Sequence, residues 1–337
     1  MINEILKLLK GKKNLTREQA CEMQMNIIEG QLAKDEIIGI FKSFEEKEMT
    51  EEELAGIVEA TRKKMARVKI DFDTLDNCGT GGDGFSTFNI STVSAIVCAA
   101  AGIPVAKHGN RAASSECGSA DVLEKLGVKI NLDPDQAKEC LKEAGIVFMF
   151  APNFHPALRH VKDARAEYGK KTYFNILGPM LNPAQATHQL IGLADASKAG
   201  IIAKTLIQTG AKKVILVHGK EGLDEVSIGG DTELYTYENG RAARCEINPR
   251  DFGLKLYNIE EIKGGGADQN AKIFLNVLNG KATEAQLNAV LLNSAAGMLA
   301  FGKAGKMEEG IKLAKDMIES GKALSKLKDF IEISNKV

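Results

Sequence analysis

Asp76-Asn77-Cys78-Gly79-Thr80-Gly81-Gly82-Asp83-Gly84, followed by Phe88-Asn89-Ile90-Ser91-Thr92, is the stretch on which the reading of this chain turns. Four glycines fall in six positions, between an apolar segment that reads as a strand, Thr74–Cys78, and a small-residue run that reads as a helix, Ser91–Ala101. Glycine lets backbone N–H groups turn toward a ligand without a Cβ in the way. A helix start adds unpaired donors and the positive end of a dipole. Together these suit a phosphate or pyrophosphate. On four glycines alone, a tight strand-to-helix turn with no ligand fits equally well. The polar run Asn89, Ser91, Thr92 tips the reading toward a ligand, although each of the three also suits a plain N-cap.

Outward from this loop, short apolar segments alternate with helical patterns. Strands are expected at Ile103–Lys107, Gly145–Phe150, Gln189–Leu193 and Lys213–His218, with helices at Ser119–Leu126 and Pro134–Ala144. Such alternation implies parallel strands with helical crossovers. Glu233–Glu238 and Ala242–Ile247 flank Asn239-Gly240, a hairpin signal that makes the sheet mixed. Upstream, Thr16…Gln19 and Thr50…Glu53 have capping-box spacing, and Met23, Ile27, Ile28 and Leu32 recur at helical spacing. Thr283…Gln286 repeats the box in a helical tail. The expected fold is α/β, with a mixed, largely parallel sheet flanked by helices and a small all-α domain over residues 1–70. The large domain would span 71–337. No Pro/Gly linker marks the boundary, so the two parts should pack directly, with a ligand cleft between them.

Composition narrows the function classes. The chain has 337 residues, 44% apolar and 26% charged, with a formal net charge of −1 and no Trp. This argues against a generally basic nucleic-acid binder and against base-stacking platforms. The six cysteines form no C-x-x-C pair, so a zinc ribbon or thioredoxin-type site is unsupported. Reduced cysteines and the lack of a signal peptide point to the cytoplasm. No apolar run reaches membrane-spanning length.

Gly79-x-Gly81-x-x-Gly84 matches the dinucleotide fingerprint, which asks for an acidic residue about 20 positions on, at the end of the next strand. Here that strand ends in Lys107-His108-Gly109-Asn110. A cation there speaks against a dinucleotide and for more phosphate. A P-loop is absent too, since no Lys-Ser/Thr pair follows the glycines. Lys107 and Arg111 can neutralise phosphate, and Ser115 and Ser119 can donate to its oxygens. The alternative is a solvated loop, but this loop should share a strand-end edge with the glycines, where ligands gather. Asp224-Glu225 follows the apolar run Val214–Val217 and could hold Mg²⁺. A bare acidic pair is more often solvated surface, and the two phosphate loops beside it reverse that balance. Arg159 and Arg165 are surface positions by spacing alone, or forks for a substrate carboxylate. Asn175–Pro183 could line a pocket or simply connect two elements.

In order along nearly the whole chain, Gly79–Asp83, Asn89–Thr92, Lys107–Ser115 with Gly118–Asp121, Asn175–Pro183 and Asp224–Ser227 resemble the anthranilate phosphoribosyltransferase family. The resemblance implies transfer of 5-phosphoribosyl from phosphoribosyl pyrophosphate to the amine of anthranilate, the second step from chorismate to tryptophan. It implies Mg²⁺, two ions per subunit, held by Ser91, Asp224 and Glu225. Phosphoribosyl pyrophosphate would lie on Gly79, Gly82, Asp83, Thr87, Asn89, Ile90, Ser91, Thr92, Lys107, His108, Gly109, Asn110, Arg111, Ala112, Ala113, Ser114, Ser115 and Ser119. Gly79, Asn110 and Arg165 would contact anthranilate, Arg165 facing its carboxylate, with His108, His155 and Pro179 near the acceptor's route. Lys107, Asp224 and Glu225 would act electrostatically. A helical segment within about 157–204 would complete the small domain, and a homodimer would form through it. Association with anthranilate synthase is a further implied partner; nucleic acid and membrane are not. Two departures stand out. Lys162-Asp163-Ala164 precedes Arg165 where the family usually has Pro-Val, and Met180 replaces a usual Leu. The alternatives are a pyrimidine nucleoside phosphorylase and a nucleic-acid-binding relative of the same fold.

Overall fold

The computed structural model describes residues 2–112 and 116–337. Its seven strands are β1 (Leu75–Gly79), β2 (Val105–Gly109), β3 (Ile146–Phe150), β4 (His188–Gly192), β5 (Lys213–Gly219), β6 (Thr232–Glu238) and β7 (Arg241–Ile247). They form one sheet in the order β3-β2-β1-β4-β5-β6-β7. The pairs from β3 to β5 are parallel, and β6 and β7 join antiparallel. The sheet is therefore mixed and largely parallel, as the alternation of segments implies. Asn239 and Gly240 both take positive φ, 51° and 72°, the geometry of a two-residue hairpin turn whose twist matches its strands.

The winding sets the site. From β1 the chain builds outward through β2 to β3, then returns to the other side of β1 to lay down β4 and β5. The direction of winding reverses between β1 and β4, the point at whose carboxyl strand ends open α/β sheets place their ligands. Register places Gly79 opposite Gly192 at that point.

Side chains alternate across a strand, and here the alternation divides two cores. Leu190, Ile215 and Val217 face one core, built with the helices Ile90–Ala100, Glu284–Phe301, Met307–Glu319 and Lys322–Lys336. Ile191, Val214 and Leu216 face the other. That second core also takes the four N-terminal helices Ile2–Lys10, Arg17–Ile28, Lys34–Glu46 and Glu51–Lys63, the helix Ala199–Gln208, and Val161, Ala164, Phe174 and Leu181. So the N-terminal helices share a core with one face of the sheet. Within the mid-chain stretch, residues from Val161 to Leu181 pack on those helices, whereas His188–Gly192 is a central strand. The two parts are joined through backbone: Ala66 N–H donates to Phe154 O at 2.8 Å and Val68 N–H to Pro183 O at 3.1 Å. Among the described residues no helix is long and apolar enough to cross a membrane.

The capping boxes at Thr16, Thr50 and Thr283 all form. The second does more than cap. The Glu53 carboxylate, fully buried, accepts from Thr50 N–H, from Leu15 N–H at 2.8 Å and from Lys47 Nζ at 2.7 Å. Removing one partner of a buried pair strands the other charge, a cost of about 3–5 kcal/mol. Glu53→Ala is therefore expected to lower unfolding free energy by that amount in a denaturant melt. A loss within the ~0.5 kcal/mol typical of surface changes would contradict this role.

Candidate active site

Three glycines of the loop after β1, Gly81, Gly82 and Gly84, take positive φ of 70°, 77° and 83°. This is backbone that other residues adopt with difficulty. The loop is folded around Asp224, which arrives from the turn after β5. Gly81 N–H donates to Asp224 Oδ2 at 2.6 Å. Neither Gly79 nor Gly192 could carry a side chain here: a Cβ on Gly79 would meet the Asp224 carboxylate, and one on Gly192 its backbone carbonyl. The two strand ends are thus cut back to admit the acidic turn. Asp83 faces Asp224 from within the glycine loop, its Oδ2 3.5 Å from Asp224 N.

Electrostatics at this junction are unfavourable in the folded protein alone. Burial, then the neighbouring Asp83 charge, pushes the Asp224 carboxyl up to about 7. Burial and Asp224 push Glu225 well above the usual carboxylate range, against the pull of Lys107 and a hydrogen bond from the Ser91 backbone. Three carboxylates converge with one lysine nearby, an arrangement short of positive charge. Among the described residues, however, no three His, Cys, Asp or Glu side chains form a ready cation cage.

Lys107 is only 3% exposed. Its Nζ donates to Asn77 O and lies 3.3 Å from Ser91 Oγ, while Asn77 Nδ2 donates to Ser91 O at 2.7 Å. Lys107 therefore ties β1 and β2 to the start of the helix Ile90–Ala100. Asn89 is the N-cap, yet its side chain makes no cap hydrogen bond. It donates to Cys117 O at 3.1 Å and accepts from Asn270 at 2.9 Å, pinning the helix start to the loop after β2. Ile90 buries its side chain and gives its N–H to Phe88 O. Thr87 bridges Lys263 through backbone, and the Thr92 hydroxyl is buried with no partner among the described residues.

Beyond β2 the second cluster is shaped by an acid. Asp121 accepts from Ala112 N–H at 3.0 Å, Gly118 N–H at 2.9 Å and Arg111 at 2.8 Å, and Glu124 also takes Arg111 at 2.9 Å. Arg111 is thus drawn to carboxylates. Ser119 Oγ reaches Asn110 O at 3.3 Å beside Gly109. Ala113, Ser114 and Ser115 lie outside the described residues.

His108 and His155 meet edge to face, ring centroids 5.1 Å apart. Burial pulls them down to about 3 and about 4, so both are neutral at pH 7. His108 Nδ1 lies 3.3 Å from Gly178 O, beside Pro179, while its Nε2 and both His155 nitrogens have no hydrogen-bond partner among the described residues. Arg165 sits over the Phe174 ring at 5.5 Å. Among the described residues it forms no ion pair, and no hydrogen bond joins it to the glycine loop.

Sequence reasoning missed three contributors. Asp76, buried and pushed up to about 6 by burial, accepts from Asn182 Nδ2 at 2.7 Å and from His108 N–H at 3.3 Å. This pair fixes the Asn175–Pro183 loop to β1. Lys171 reaches the Gly82 carbonyl at 3.4 Å from the mid-chain segment. Asn77 holds the helix start. The first and last lay inside the quoted stretch, but nothing local reveals partners so far along the chain.

Comparison with known proteins agrees with this fold. A family model described as "Glycosyl transferase family, a/b domain" matches residues 71–324. The anthranilate phosphoribosyltransferase of Petrotoga mobilis is 43% identical over 333 residues, covering 98% of this chain and 95% of that protein. The one from Methanobrevibacter smithii is 42% identical, covering 99% and 100%. Among solved structures, anthranilate phosphoribosyltransferase from Thermus thermophilus superposes with a TM-score of 0.92 at 36% identity, covering 98% of this chain and 99% of that one. The Saccharomyces cerevisiae enzyme in complex with PRPP and Mg gives 0.91 at 26% identity, covering 99% and 98%. The chain belongs to the anthranilate phosphoribosyltransferase family.

Proposed function

We propose that the junction of the glycine loop, the start of the helix Ile90–Ala100 and Asp224-Glu225 holds phosphoribosyl pyrophosphate with magnesium, for transfer of its phosphoribosyl group to anthranilate. The observation that carries this is the interlock of Asp224 with Gly79, Gly81 and Gly192. It makes a phosphate loop and an acidic pair one unit. The donor set fits a hard cation, since Asp224 and Glu225 are oxygen ligands short of positive charge and Ser91 stands beside them. We assign two ions per subunit, with substrate oxygens completing their shells. Bound magnesium would neutralise negative charge on the pyrophosphate.

The demanding event is rupture of the anomeric C–O bond, which leaves charge on the departing pyrophosphate and an oxocarbenium-like sugar. The N–H groups of Gly82–Gly84 and the helix start supply fixed dipoles toward that charge. Lys107 acts from below by holding the Ser91 turn and offsetting Glu225. Gly79, Asp83, Thr87, Asn89–Thr92 and Lys107–Ser115 with Ser119 form the donor's bed in this proposal. Arg111 would exchange Asp121 and Glu124 for phosphate. The aromatic amine is neutral at pH 7 and needs no strong base. His108 and His155, held neutral, offer acceptor nitrogens on its route. Asn110, Gly79 and Arg165 orient anthranilate, Arg165 through its guanidinium, which has no ion pair among the described residues.

Arg165→Ala is expected to raise KM for anthranilate roughly 100-fold, the worth of a charge-assisted pair of about 3 kcal/mol, and to leave KM for phosphoribosyl pyrophosphate within about twofold. Equal effects on both would count against the carboxylate role. The activity itself is read from the loss of anthranilate fluorescence. Signal should require phosphoribosyl pyrophosphate and Mg²⁺ together, and turnover with either omitted would overturn the assignment. The relatives favour the transferase over the phosphorylase and nucleic-acid readings.

We further propose residues 1–70 with a mid-chain segment within 157–204 as one lobe, and 71–337 otherwise as the other. A homodimer would form through the helical lobe, where Ile2, Leu6 and Ile38 are only partly buried. Sedimentation would show a two-chain mass. A cytoplasmic location and contact with anthranilate synthase belong to the same proposal, the latter tested by co-sedimentation.

A further inference from the structure

A second cavity lies far from the site just described. It is a partly open cleft of about 330 Å³ at the opposite edge of the sheet, where the backbone leads into β1, β4 and β5. That volume is within the range of small-ligand pockets. Its lining includes Arg62, Arg67 and Lys69 and no Asp or Glu. The acids flanking the lining are Asp71, exposed between Ile70 and Phe72, Asp73, which pairs with Lys212 at 2.7 Å, and Glu59, which faces Arg62 and pairs with Arg17 at 2.6 Å.

Arg62 spends its donors on backbone alone, Nε to Met180 O at 2.9 Å and Nη1 to Thr209 O at 2.8 Å. Burial and the like charge of Arg67 pull it down to about 10, the condition of a cation short of counter-charge. Gln185 stands at φ 51°, a conformation non-glycine residues seldom hold, and accepts from Arg67 at 2.6 Å. Phe72 is one of only two large hydrophobic residues exposed among the described residues, and it lines the same cavity. Three cations in a lining that holds no acid, beside an exposed aromatic ring, match a ligand with one anionic end and one apolar end.

We propose that this cavity is a second ligand site for a small organic anion, a phosphate ester or carboxylate carrying an apolar ring. The anion meets Arg62, Arg67 and Lys69, and the ring packs on Phe72. The walls come from the end of the fourth helix, the connector to β1 and the turns before β4 and β5, so the ligand sits across the junction of the helical lobe and the sheet.

Phenyl phosphate is the probe, titrated calorimetrically into the full chain with phosphoribosyl pyrophosphate and Mg²⁺ present to fill the other site. One site per chain should remain. Arg67→Ala with Lys69→Ala, both exposed positions, should abolish it or weaken it at least tenfold with the thermal midpoint unchanged. Phe72→Ala should weaken phenyl phosphate and leave inorganic phosphate as it was. Benzoate in a parallel arm distinguishes a carboxylate ligand from a phosphate one, and binding of either supports the site only where the Arg67→Ala, Lys69→Ala change weakens it and Arg165→Ala does not. Binding that vanishes once phosphoribosyl pyrophosphate is added overturns the proposal. So does binding that survives both sets of changes.

Discussion

Replacing Asp224 with Asn and Glu225 with Gln together is expected to cut turnover about 1,000-fold and to make the protein more stable. The loss follows from removing the groups proposed to hold magnesium, whose charge stabilisation is worth several kcal/mol, and each ~1.4 kcal/mol is a factor of ten. The gain follows from the same carboxylates. Burial and Asp83 raise the Asp224 carboxyl to about 7, and Glu225 is raised as well. The unfolded chain loses the Asp224 proton near pH 4 and the folded one only near 7, and Glu225 shifts in the same direction. Their contribution to stability is therefore greatest at low pH and falls as pH rises through that window. The amides have no proton to lose. The double variant should gain most over the parent at pH 8 and least at pH 4, in urea melts at both. Full turnover in the variant would remove the metal assignment. A stability difference independent of pH would remove the electrostatic one.

Gly192→Ala is expected to lower turnover about 100-fold with no chemical group removed. Its backbone does not take positive φ, so conformational freedom is not at issue. The methyl would meet the Asp224 carbonyl, which is backbone and cannot swing aside. The acidic turn must shift, and a displacement of about 1 Å at a reacting centre can cost about 10²-fold. Overpacking of this kind costs about 1–3 kcal/mol in stability. The expected signature is reduced kcat with a raised Mg²⁺ requirement. An unchanged Mg²⁺ requirement would show that the close approach of β4 to the turn carries no functional load.

Features set by neighbours in the chain could be read from residues in a row; those set by distant partners could not. The helix Pro134–Ala144, its Asp133 cap and the Asn239-Gly240 turn are local chemistry and stand where spacing places them. Strand ends moved by a residue or two, as at β1 and β2, where Gly79 and Gly109 extend the ladder. The glycines as a strand-to-helix turn were legible because glycine geometry is local. What the loop is folded around was not. The hydrogen bond from Gly81 to Asp224 spans 143 residues and that from Asn182 to Asp76 spans 106. Neither partner has a periodicity that announces the other. Lys107 reads in sequence as a free cation at a strand end. Its burial depends on β1 and the helix start closing over it, which only the sheet order reveals. Arg111 likewise reads as a phosphate ligand, and its pairing with Asp121 and Glu124 comes from the turn that brings the next helix back.

The glycine loop closed on the acidic turn is one physical unit, proposed as the place where phosphoribosyl pyrophosphate and magnesium are held. The most direct test is calorimetric titration of phosphoribosyl pyrophosphate into the parent and into the Asp224→Asn, Glu225→Gln variant, each with and without Mg²⁺. Magnesium should tighten binding to the parent at least tenfold and leave the variant nearly unaffected. An equal tightening in both would contradict the claim.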